Sequence, residues 1–206
     1  MLDLILAIVL SYLLGALCPS LWLTKLITGK DLRTLGSGNL GATNAWRNCG
    51  WKVGLPVGLV DLGKGFVATF YDSQLIPFDF FPDPLYAKIL CGFVAIFGHM
   101  FSVFANFKGG KGVLTAVGLL IGLMPQAVGA CVLVWIIAVA LTRMVSVGSI
   151  VGALALPVAV FFLYNNDILQ GISIVIAILI VYTHRTNIQR ILKGEESKIP
   201  IGKKNA

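Results

Sequence analysis

Apolar residues gather in seven runs, at about 3–24, 53–71, 84–105, 112–124, 126–141, 146–164 and 168–183, with short polar stretches between them. Several approach the roughly 20 apolar residues that carry a helix across a ~30 Å hydrocarbon core. The pattern predicts an all-α polytopic membrane protein, a seven-transmembrane-helix bundle forming a single domain over 1–206. The fourth run is the exception: about 13 residues give roughly 20 Å of helix, one short helix in the bundle. Pro125 marks the turn to the fifth.

Composition agrees: 57% of the 206 residues are hydrophobic and only 12% are charged. A soluble domain carries about twice that charged fraction. The first run lacks a basic region ahead of it, so it reads as a retained helix rather than a cleaved leader. Cys18, Cys49, Cys91 and Cys131 are scattered, with no C-x-x-C pair to indicate a zinc site or a disulfide framework.

The net charge of +7 is unevenly placed. Lys25, Lys30, Arg33, Arg47 and Lys52 follow the first run. Lys108 and Lys111 follow the third, Arg143 the fifth, and Arg185, Arg190, Lys193, Lys198, Lys203 and Lys204 the last. If the runs alternate direction, all of these share one side. Asp3, Asp72, Asp79, Asp83 and Asp167 fall on the other, with Lys88. The bias places the basic side in the cytoplasm, with the amino terminus outside and the carboxyl terminus inside.

Two phosphate-loop patterns are decoys. "GSGNLG" at 36–41 matches G-x-G-x-x-G but does not follow a buried strand; "GLVDLGKG" at 58–65 has glycine where a P-loop needs Ser or Thr. The physics behind them still applies, because glycines let backbone N–H groups close around phosphate oxygens.

Four polar stretches are expected on the basic side. "LGSGNLGATNAWRNCG" carries Ser37, Asn39, Asn44 and Arg47. "GHMFSVFANFKGGKGVLT" carries His99, Lys108 and Lys111. "TRMVSVGS" carries Arg143 and Ser149, and "THRTNIQR" carries His184 and Asn187. Cations, amides and hydroxyls with few acids suit an anion, phosphate above all. Basic residues at helix ends also arise from topology alone, which is the reading for Lys25 and Lys30. Arg47 and Lys111 differ, because they sit in glycine-rich stretches whose backbone has reason to approach something closely. Asp61 and Lys64, at i and i+3, read as an internal ion pair. His99, in an otherwise apolar run, stands between a structural and a functional role.

Taken together, "GSGNLGATNAWR", "GHMFSVFANFKGGKGV" and "HRTNIQRILKGEE" resemble the bacterial acyl-phosphate:glycerol-3-phosphate acyltransferase (PlsY) family over nearly the whole chain. The resemblance implies a seven-helix inner-membrane enzyme. Such an enzyme moves a fatty acyl group from acyl phosphate to the 1-hydroxyl of glycerol 3-phosphate, without acyl-CoA, metal or other cofactor. It assigns substrate contact to Ser37, Arg47, Lys111, Ser149, His184 and Asn187, and catalytic roles to Arg47, Lys111 and His184. Asn39, Asn44, His99, Lys108 and Arg143 are further candidates. The implied partners are the two substrates and membrane lipid, with no nucleic acid. The competing class is a transporter or channel for a phosphate-bearing anion, which wants polar groups reachable from both faces. The outer halves of the runs are nearly bare of cations.

Overall fold

A computed structural model of the protein describes residues 1–199. Lys203 and Lys204, read as topology charges, lie outside the described residues. Among those residues the regular structure is entirely helical. The chain separates into two compact units, Met1–Pro125 and Gln126–Ala206.

The first unit holds α1 (Leu2–Ala16), α2 (Pro19–Thr28), α3 (Ala42–Cys49), α4 (Trp51–Phe70), α5 (Pro84–Met100) and α6 (Val113–Leu123). Small residues bring these helices together, as membrane packing favours where apolar side chains gain nothing by leaving lipid. A Cβ on Gly65 of α4 would collide with the Thr115 carbonyl of α6, and one on Gly118 of α6 with the Leu62 carbonyl of α4. Gly15 of α1 meets the Ala95 carbonyl of α5 in the same way, and Gly98 of α5 meets Tyr12.

The first apolar run is not one helix. Pro19 starts α2 after a break at Leu17 and Cys18, and the pair reaches Thr28 rather than residue 24. A proline inside a helix removes a donor and leaves carbonyls unanswered. Side chains answer them here. Lys64 Nζ donates to the Leu17 carbonyl at 2.9 Å, and Ser102 Oγ donates to that of Ala16.

The second unit holds α7 (Pro125–Thr142, beyond its first residue), α8 (Val145–Leu163), α9 (Asp167–Thr183) and α10 (Arg185–Leu192). Connections of two and three residues make α7, α8 and α9 successive antiparallel neighbours. Gly148 gives α8 room against Val139 and Trp135 of α7. The Tyr164 hydroxyl accepts from the Gln126 N–H at 3.2 Å, and Asn166 caps α9 by accepting from Leu169 N–H. Leu133, Ile137, Phe161 and Ile178 stay exposed, an apolar surface that suits lipid.

All seven apolar runs are helical, but length separates them. Five candidate spans have the length and hydropathy to cross a membrane, the first being the broken α1–α2 pair. A sixth arises if α9 and α10, bent by 57°, are taken as one. α6, at 11 residues, is shorter than a span. The seven expected segments are all helical, but only five or six reach spanning length among the described residues, so the expected count of seven crossings is not reached on length and hydropathy. α3 and α10 were not expected at all; each is eight residues cut from a polar stretch.

Candidate functional site

In the first unit, two glycine loops carry the candidate residues. The loop at 36–41 turns through left-handed backbone at Gly36 (φ 55°) and Gly38 (φ 69°), which glycine adopts without a steric cost. One side chain knits it. Asn44 of α3, buried, accepts from Ser37 N–H at 3.2 Å through Oδ1 and donates through Nδ2 to the carbonyls of Leu35 and Asn39, both at 3.0 Å. Asn44 thus holds the loop, leaving Ser37 exposed at its tip and Asn39 half-buried. One turn along α3 from Asn44, Arg47 is half-buried.

The second loop runs from α5 to α6. Asn106 (φ 54°) and Phe107 (φ 60°) are left-handed without being glycine, and Gly112 (φ 76°) follows. Consecutive non-glycine residues in this region store strain, which clusters at functional sites. Backbone bonds hold the strained loop. Phe107 N–H donates to Ser102 O at 2.8 Å, Gly109 N–H to Met100 O at 3.0 Å, and Gly110 N–H to His99 O at 3.2 Å. The last two cap the carboxyl end of α5. Lys108 is exposed and Lys111 half-buried.

Beneath this loop lies a buried polar cluster. Lys64 Nζ is 2.9 Å from Asp61 Oδ1, so the expected ion pair is present, and His99 Nδ1 approaches the same oxygen at 3.4 Å. All three residues are at most 7% exposed. His99 therefore faces Asp61, an arrangement the linear sequence did not reveal.

The second unit has its own polar cluster, built on Glu196, which is buried and fully engaged. Ser146 Oγ and Asn187 Nδ2 donate to its Oε1, and Arg190 Nε to its Oε2, each at 2.7 Å. Burial pushes the Glu196 carboxyl up, but the donors from Asn187, Ser146 and Arg190 outweigh it and hold the group below the usual glutamate range. The tail is tied further at Arg143, which accepts from Ile199 N–H at 2.7 Å and donates through Nη2 to Ile199 O at 3.0 Å. Arg143 itself is left-handed (φ 63°) in the α7–α8 turn. The only signal for Glu196 in the sequence was a carboxylate within reach of "THRTNIQR"; its bond to Ser146 spans 50 residues.

His184 sits at the bend between α9 and α10, buried. Its Nδ1 lies 2.7 Å from the Ile180 carbonyl. A carbonyl only accepts, so Nδ1 carries a proton. Asn187 follows on α10, held by Glu196. Ser149 Oγ donates to the Val145 carbonyl at 3.0 Å, an ordinary bond back along α8.

Helical membrane architecture, with a strained loop bearing Lys108 and Lys111 and a glycine loop leading into the helix of Arg47, defines an integral membrane protein. Residues 5–194 match the family model described as glycerol-3-phosphate acyltransferase. The chain is 38% identical to the glycerol-3-phosphate acyltransferase of Chlorobaculum tepidum, over the full length of both. It is 39% identical to that of Chlorobium chlorochromatii, over 98% of this chain and 100% of the other. Among solved structures it resembles PlsY, an integral membrane glycerol 3-phosphate acyltransferase, in its glycerol 3-phosphate form (TM-score 0.85, 34% identity, 96% of each chain). The lysophosphatidic acid form of PlsY gives a TM-score of 0.82 at 32% identity, over 96% of this chain and 95% of that one. The chain belongs to the glycerol-3-phosphate acyltransferase family, and it is a membrane acyltransferase.

The Glu196 cluster makes a pH prediction. Its folded-state value is lowered, so its stabilisation is fully present above the unfolded glutamate value of about 4.3 and is lost as pH falls through the lower folded value. Glu196→Gln places an amide N–H against the donors and should lower stability by about 1–3 kcal/mol at pH 7. Thermal unfolding in detergent should show the gap to the parent protein closing in acid. A gap independent of pH would mean that the charge of Glu196 is not what holds the tail.

Proposed function

We propose that the protein transfers a fatty acyl group from acyl phosphate to the 1-hydroxyl of glycerol 3-phosphate, giving 1-acylglycerol 3-phosphate and inorganic phosphate. The observation that carries this reading is the strained glycine loop presenting Lys111, in a chain of this family. Both substrates bear phosphate, and one bears a long apolar tail. A cation on a rigid loop flanked by apolar helices suits a molecule that is greasy at one end and anionic at the other.

The hydroxyl oxygen attacks the acyl carbonyl. The new C–O bond forms, the bond from the acyl carbon to the phosphate oxygen breaks, and phosphate leaves with that electron pair. Arg47 and Lys111 neutralise the developing negative charge and the phosphates, the function of preorganised donors in acyl transfer. Ser37 and Ser149 offer hydroxyl contacts and Asn187 an amide contact to substrate. His184 is the proton acceptor through Nε2, its tautomer set by Ile180. Acyl phosphate is already activated, so no covalent Ser or Cys intermediate is called for. The alternative, a transporter for a phosphate-bearing anion, draws no support from a chain whose relatives are acyltransferases.

The orientation belongs to this proposal: a bacterial inner-membrane protein with its amino terminus outside and its carboxyl terminus and chemistry in the cytoplasm. Reporter fusions at Lys30, Lys108 and Lys193 should all report the cytoplasm. One reporting the outside would overturn the orientation.

Arg47→Ala and Lys111→Ala should each reduce the rate by about 10²–10³, or ~2.7–4 kcal/mol of transition-state stabilisation, while the protein still inserts. Lys25→Ala, an exposed charge on α2, should be nearly silent. Equal behaviour of all three would remove the phosphate role.

The donor is tested directly by phosphate release from palmitoyl phosphate and glycerol 3-phosphate. Among the described residues no three His, Cys, Asp or Glu gather as a metal site, and Arg47 and Lys111 supply positive charge. Full activity is expected in excess EDTA, with none from acyl-CoA. Comparable transfer from acyl-CoA, or magnesium-dependent recovery after chelation, would overturn the donor reading.

A further inference from the structure

We propose that the buried Asp61–Lys64–His99 cluster is a positioning device for the Lys111 loop, with His99 acting on the loop through Gly110 and taking no part in proton transfer. The proposal deepens the function given above and rests on it for the meaning of activity. Its structural content does not depend on it.

The observations form a chain. Lys64 is fixed at both ends of its charge, to Asp61 at 2.9 Å and to the Leu17 carbonyl at 2.9 Å. Asp61 Oδ1 in turn faces His99 Nδ1 at 3.4 Å. That electrostatic contact sets the Nδ1 edge of the ring against the Asp61 carboxylate. The opposite edge of the ring points at the loop. A Cβ on Gly110 would collide with His99 Nε2 and come within 3.0 Å of the Leu40 carbonyl of the other glycine loop. The backbone joins at the same place, because Gly110 N–H donates to His99 O and a Cβ on Gly109 would collide with that oxygen.

Gly109 and Gly110 are thus seated on His99 by backbone and by ring, and Lys111 is the next residue. A free loop with left-handed Asn106 and Phe107 would relax. The seat prevents that, and it is anchored in a cluster buried between helices. The mechanism leaves all three residues unused, although a buried charge pair in a membrane segment is normally functional. The Nδ1 edge of His99 faces Asp61 and its Nε2 edge faces Gly110, so both ring nitrogens are turned to the cluster and the loop rather than to substrate.

The test is a double-mutant cycle read in two ways. Asp61→Asn and His99→Ala should each lower kcat/KM about 10²-fold, the effect of misplacing a catalytic group by about 1 Å. Both should speed amide hydrogen exchange at Gly109 and Gly110 while α1 and α4 stay protected. Gly110→Ala should do the same, because its Cβ meets the ring. His99→Ala with Gly110→Ala should be no worse than His99→Ala alone, since the methyl group then occupies the space left by the ring. Independent structural damage would instead give additive losses.

Unaltered exchange at Gly109 and Gly110 in Asp61→Asn and His99→Ala, or additive losses, would overturn the proposal. Should the variants not insert, exchange in the parent protein decides: Gly109 and Gly110 amides as fast as an unstructured peptide would overturn it, and protected ones support it. The exchange readout needs no substrate. An inactive parent protein with a loop that loosens in the variants would therefore sink the acyltransfer reading and leave this one standing.

Discussion

Backbone polar groups that leave a helix inside or beside a bilayer must find partners within the protein, because hydrocarbon offers none. That constraint organises the first unit. The chain interrupts its first span at Pro19 and its third after Met100, and both interruptions are answered by the same neighbourhood. Lys64 and Ser102 satisfy the carbonyls of Leu17 and Ala16. Gly109 and Gly110 satisfy those of Met100 and His99. Tyr12 OH reaches the Phe101 carbonyl at 2.8 Å. The loop that presents Lys111 is therefore part of the solution to a membrane-packing problem, and its strained backbone is held by bonds the break would need in any case.

The two short polar helices show a second economy of parts. α3 and α10 are too short to be stable alone, and each depends on one buried polar side chain. Asn44 ties α3 to the loop of Ser37 and Asn39 with neutral hydrogen bonds. Glu196 ties α10, α8 and the tail with charge-assisted ones, through Asn187, Ser146 and Arg190. Neither side chain needs to touch substrate to matter, since each sets where its neighbours Arg47 and Asn187 stand.

The sequence was most legible where one physical rule acted over many residues. Seven apolar runs became helices because length and hydropathy decide that, and Asp61 with Lys64 paired because three residues of helix place them on one face. It was least legible where partners are remote. Nothing near "KGEESK" announces that Glu196 meets Ser146, and nothing near "GHM" announces that His99 meets Asp61. α3 and α10 were missed because each is only eight residues long, and two turns inside a polar stretch are too few for an amphipathic period to stand out. The break at Pro19 had a signal in "CPS", but the continuous hydrophobicity on both sides masked it.

Local neutralisation governs how the acids of the chain are housed. An unpaired carboxylate repels a nearby anion by about 4 kcal/mol per pair of unit charges at 4 Å with an effective dielectric of 20. The structure does not leave one open at Asp31, Asp61 or Glu196. Asp31 is held by Arg33 at 2.6 Å, Asp61 by Lys64 at 2.9 Å, and Glu196 by Arg190 at 2.7 Å. Each acid is cancelled by a cation a few residues away, within its own cluster. The net excess of seven positive charges is thereby spared from pairing with these acids. A basic field of that kind favours doubly charged substrates over neutral lipid before any single contact is made.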